Sequence, residues 1–94
     1  MEHTVIHDEK VSRFEVFESG QIAYLEYKEA QGVLTILHTI VPPPLEGQGI
    51  ARALTEACVR YASCKGLRIR PVCSYARAFF ERHAHHREVL VQEA

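Results

Sequence analysis

Several things are missing from this 94-residue chain, and each absence narrows the reading. There is no basic surplus: eleven Lys and Arg stand against twelve Asp and Glu, a formal net charge of −1. A dedicated nucleic-acid binder carries a clear basic excess, so that class is disfavoured from the outset. No apolar run approaches the about 20 residues that span a bilayer. The opening MEHTVIHDEK lacks the basic-then-apolar order of a secretion signal. Cysteine is scarce and odd in number. Cys58, Cys64 and Cys73 show no CxxC spacing, so neither a fully paired disulfide framework nor a zinc site is indicated. Nucleic-acid and membrane partners are thus not expected, and a reduced, cytoplasmic protein with free thiols is. No repeat, low-complexity tract or linker divides the chain. One domain over residues 1–94 is expected, with its core from about 13 to 90, and nothing in it requires more than a monomer.

What is present reads as β-β-β-α-β-α. RFEVFES (13–19) and IAYLEYKE (22–29) are rich in strand formers, and turns at 20–21 and 30–32 make them the start of an antiparallel meander. VLTILHTIV (33–41) is apolar in both phases, which predicts a central strand covered on both sides. Strict alternation would place Leu34, Ile36, His38 and Ile40 on one face, with Val33, Thr35, Leu37 and Thr39 on the other. From Gly47 the apolar period becomes helical, through Ile50, Leu54, Cys58 and Tyr61, and the helix ends near Lys65 with Gly66 in left-handed geometry. LRIRPV (67–72) is a short strand, parallel to 33–41 by the handedness of βαβ units. SYARAFFERH (74–83) is a second helix with Ser74 at its N-cap, and the tail from 84 has room for one more short element. The expected class is α+β: a mixed sheet with an antiparallel N-terminal meander and a C-terminal parallel βαβ unit. The histidines of RHAHHR (82–87) lack metal-binding spacing. His3 and His7 have it but stand in what reads as a frayed terminus, so both sets are expected to be solvated and no metal site is expected.

The junction VPPPLEGQGIARAL (41–54) carries the chemistry. The first amides of a helix have no internal partner and sit at the positive end of its dipole. Glycines at 47 and 49 open that end to a bulky anion such as a pyrophosphate. The sequence lacks the GK[ST] of a nucleotide-hydrolysing loop, and Arg52 stands where GxGxxG needs its third glycine. Pro42, Pro43 and Pro44 have no backbone N–H, so they end strand pairing and free groups at Ile40 and Val41. A gap there between the strands would take an extended amide-bearing chain. A pyrophosphate joined to such a chain is coenzyme A.

From HTIV to FERH (38–83), with its EGQGIA and CSYA segments, the chain resembles the small single-domain, YjdJ-type branch of the GCN5-related N-acetyltransferases (GNAT). The resemblance implies the minimal GNAT fold and acetyl transfer from acetyl-CoA to an amine, either a small molecule or a protein lysine. It sets Glu46, Gly47, Gln48, Gly49, Ile50 and Ala51 on the family's acetyl-CoA motif. Glu46 departs from the usual Gln or Arg, and Arg52 in the first helical turn would offset its charge. Ile40, Val41, Ser74 and Tyr75 complete the expected coenzyme contacts. His38 and Cys73 fall near the expected acetyl group. Two chemistries stay open: His38 deprotonates Cys73, which takes the acetyl group first, or the amine attacks directly with His38 or water as base. The alternative function is a non-catalytic CoA-binding or sensing module on the same fold.

Overall fold

A computed structural model describes residues 3–92. Its strands are Ile6–Asp8 (β1), Arg13–Glu18 (β2), Gln21–Ala30 (β3), Val33–Ile40 (β4) and Arg68–Pro71 (β5), and its helices Ile50–Lys65 (α1) and Ser74–Arg82 (α2). Two tight turns set the meander. Ser19 and Gly20 both have positive φ (52° and 71°), as do Gln31 and Gly32 (54° and 79°). Two successive left-handed residues give the turn whose twist matches the strands it joins. Sheet order is β1-β2-β3-β4-β5, antiparallel except for the parallel pairing of β4 with β5. The mixed α+β architecture expected from the sequence is the one observed.

Helix α1 lays Ile50, Leu54, Cys58 and Ala62 on the sheet, against Ala23, Leu25, Leu34, Ile36 and Ile69. Gly66 ends it in the left-handed conformation (φ 73°), donating its N–H to the free carbonyls of the last turn. Helix α2 packs on the same side through Ala76, Phe79 and Phe80. Among the described residues no helix is long and apolar enough to cross a membrane. Burial pushes the Cys58 thiol up to about 12, whereas Cys64 is exposed. A thiol reagent is therefore expected to modify Cys64 in the native protein and Cys58 only after unfolding, which mass spectrometry of labelled peptides checks.

Five departures from the sequence reading concern the sheet, helix α1 and the two ends of the chain. Residues 6–8 form an edge strand rather than a frayed terminus: His7 stacks on Phe14 at 4.1 Å between ring centroids and its Nε2 lies 2.6 Å from the Tyr27 hydroxyl. The 82–87 segment is more than a solvated tail, although Arg82, His85 and Arg87 stay exposed. Residues Ala84–Val89 form a 3-10 turn in which His86 stacks on Phe79 and Arg87 donates to the carbonyls of Phe80 and Glu81. The second face of β4 carries no helix, and Val33, Thr35 and Leu37 stay partly exposed there. Helix α1 begins at Ile50, three residues after Gly47.

The fifth departure matters most. The β3–β4 register pairs Tyr27 with Ile36 but Glu26 with His38, leaving Leu37 as a β-bulge. One extra residue reverses every later side chain. Thr39 therefore joins Leu34 and Ile36 on the helix-covered face, opposite Leu25, while exposed His38 and Ile40 turn to the open face.

Candidate active site

The site is built from the end of β4, the junction into α1 and the start of α2. After Ile40 the prolines turn the chain through a short 3-10 segment, Pro43–Leu45, whose Leu45 is buried (2 % exposed) and anchors the loop to the core. Gly47 (φ 79°) and Gly49 (φ 77°) then take left-handed conformations on either side of Gln48. Gly49 is the N-cap of α1 and has no side chain with which to cap. The first helical bond runs from Ala53 N–H to the Gly49 carbonyl, so the amides of the first turn are left to solvent or a ligand. A Cβ on Gly47 or Gly49 would meet nothing within 4 Å. The glycines meet a left-handed φ and leave open space in front of the helix, both of which suit a bulky anion.

A cavity of about 240 Å³ opens there, lined by Val41, Leu45, Glu46, Gly47, Gly49, Ile50, Ala51, Arg52 and Tyr75. A second, of about 360 Å³, shares Val41, Glu46, Ala51 and Tyr75 and extends to Thr39 and Ile40. Together they form one trough from the glycine turn to the end of β4. Burial raises the Tyr75 hydroxyl above its ordinary range, so Tyr75 is a neutral wall and donor. Beyond it, the Cys73 Sγ lies 3.5 Å from Thr39 Oγ1.

The trough exists because β4 outruns β5. Their pairing stops at Ile36 opposite Pro71, although β4 continues to Ile40. The gap expected from Pro42–Pro44 at Ile40 and Val41 thus opens directly after Ile36, where Pro71 and the Leu37 bulge lie. Past Pro71 the chain swings away, with the N–H groups of Val72 and Cys73 both directed at the Ile36 carbonyl (3.1 and 3.2 Å). Cys73, not Ser74, is the N-cap of α2, its sulfur accepting from the Ala76 amide at 3.3 Å. Ser74 is exposed.

The structure therefore brings Val41, Glu46, Gly47, Gly49, Ile50, Ala51, Arg52 and Tyr75 around one cavity, with Ile40 and Thr39 on its extension and Cys73 against Thr39. Gln48 points its side chain back to the Pro44 carbonyl at 3.3 Å. His38 is separated from this group, because the bulge sets it across the sheet from Cys73. Arg52 donates to Glu56 at 3.1 Å, one turn further along α1, rather than to Glu46. Two residues escaped the sequence reading. Thr39 was hidden by the bulge, and His3, whose ring bonds to the Gln48 carbonyl, was hidden by distance along the chain.

An α+β fold with a glycine-bearing, uncapped helix start beside two splayed parallel strands is the frame of this site. Residues 13–89 match the profile of the family described as GCN5-related N-acetyl-transferase. The chain belongs to that family of acyltransferase enzymes. It is also similar to a GCN5-like protein of Staphylococcus aureus, assigned to the N-acetyltransferases and solved in solution by NMR. That match has 26 % identity and a TM-score of 0.75, covering 97 % of this chain and 90 % of the other.

Proposed function

We propose that this chain is a single-domain, cytoplasmic enzyme of the small YjdJ-type branch that moves an acetyl group from acetyl-CoA to an amine, on a small molecule or a protein lysine. The reading rests on one observation: the trough is continuous from the open amides at Gly47–Gly49, past Val41 and Tyr75, to Thr39 beside Cys73. Acetyl-CoA supplies an activated thioester. The first-turn amides of α1 receive its diphosphate, and the freed edge of β4 after Ile36 offers backbone groups to its amide-bearing arm. Glu46 at the same cavity weakens the hold on that anion without removing the amides that make it.

Near the thioester, the chain's own contribution is a wall. Thr39 offers a hydroxyl and Cys73 is held by its N-cap bond to Ala76. With His38 on the other face of the sheet, direct attack by the amine is favoured over a relay through Cys73, and the amine's surplus proton leaves to water. The expected result is CoA binding by calorimetry, thiol release with an amine panel, and no Cys73-dependent acetyl adduct in acid-quenched intact mass. An adduct that appears and then passes to the amine would establish the relay instead. Binding without turnover on any amine would favour a sensing module.

A further inference from the structure

His3 lies outside the residues that define the family, yet it touches the loop on which the proposed function depends. Its Nδ1 is 2.7 Å from Glu18 Oε1 at the end of β2, and its Nε2 is 2.7 Å from the Gln48 carbonyl. His3 is half-buried along a cleft it shares with Gln48 and Arg52, its side chain 2 % exposed. A carbonyl oxygen and an ionised carboxylate can only accept, so both ring nitrogens must donate, and only the imidazolium does that. The hydrogen bond to Gln48, then that to Glu18, raise the His3 pKa above its ordinary 6.5.

The bond matters because of where Gln48 stands. It is flanked by Gly47 and Gly49, both left-handed, and glycines on either side let a peptide plane rotate at little steric cost. A trans peptide is planar, with C=O and N–H pointing in opposite directions. Holding the Gln48 carbonyl against His3 therefore keeps the Gly49 N–H pointing away from His3. We propose that His3, as an imidazolium, is a positioning residue that fixes the Gly47–Gly49 turn in its anion-receiving shape, coupling coenzyme binding to the protonation of this histidine. The inference rests on the proposed coenzyme seat.

Glu18 from β2 favours the charged ring and burial opposes it, while Arg52, Glu56 and Arg60 of α1 line the same cleft. The clamp is complete below the ordinary value of 6.5 and is lost as pH rises through the higher folded value. By linkage, bound CoA must raise the proton affinity of His3 by the same factor that protonation raises CoA affinity.

The test has two arms on the full chain. In the first, without ligand, ring nitrogen and backbone amide signals are followed by NMR across a pH titration. The Gly49 amide is expected to move with the His3 midpoint in wild type and to lose that step in His3→Gln; in Glu18→Gln both midpoints should fall together. In the second, CoA binding is measured by calorimetry for wild type and His3→Gln at pH 6 and pH 9, comparing the two at each pH so that CoA's own ionisation cancels. His3→Gln is expected to bind about tenfold more weakly at pH 6, with the two converging at pH 9. A Gly49 amide indifferent to His3, or equal CoA affinities at pH 6, overturns the inference and leaves the seat standing. A wild type blind to CoA removes the seat and the coenzyme half of the inference, while the first arm still reads the coupling of His3 to the turn.

Discussion

Replacing Gly49 with valine is expected to abolish measurable CoA binding while leaving the protein folded. A Cβ at this position has nothing within 4 Å to strike, so the main expected cost to the free protein is the backbone strain of a β-branched residue at φ 77°. That strain is about 1–2 kcal/mol. The open volume that makes the substitution tolerable is the volume assigned to the diphosphate. The methyl groups would stand in front of the first-turn amides of α1 and hold the anion off. Charge-assisted hydrogen bonds are worth about 1.5–3 kcal/mol each, so losing two weakens binding about a hundredfold or more. Gly49→Ala introduces the strain with far less bulk and should lose much less. Calorimetry with CoA, beside a thermal melt of each variant, checks both halves. A valine variant that binds CoA like wild type would move the seat elsewhere.

The largest effect on stability is expected at Leu54. It is fully buried, 0 % exposed, in the middle of the stripe that α1 lays on the sheet. Leu54→Ala removes three carbons and leaves a cavity that rigid strands cannot collapse to fill, a loss of about 2–5 kcal/mol. The whole stability of a domain this size is about 5–15 kcal/mol. A fall in Tm of roughly 10 °C or more is expected. Leu54→Met keeps the volume and should lose less than about 1.5 kcal/mol. Denaturant titration of the two variants against wild type measures the difference. Equal losses in both would mean that packing at this position is loose, against what its burial implies.

The parts of the fold legible beforehand were those governed by neighbours in sequence. The stripe from Ile50 through Leu54 to Cys58, the stop at Gly66 and the turns before β3 and β4 all follow from local geometry. The EGQGIA junction was readable for the same reason, since a proline-ended strand, two glycines and a helix start are consecutive. The N-cap of α2 was a narrower miss. Serine is the better capping residue by habit, but the chain leaving Pro71 is bent by the shared Ile36 carbonyl, which puts Cys73 in the capping position.

What the sequence determined by itself is the order of the strands and helices from Arg13 to Arg82 and the chemical character of the α1 opening, because both depend on periods and residue types within a few positions of one another. Tertiary structure alone decided which side chains meet. VLTILHTIV is apolar in both phases, so its pattern could not reveal the Leu37 bulge; pairing with β3 did, and it sent His38 away and brought Thr39 to Cys73. Likewise, nothing local to His3 foretells the Gln48 carbonyl, 45 positions along the chain. Such contacts are made by the closure of a sheet over its helices, and a one-residue change of register is enough to exchange one site for another.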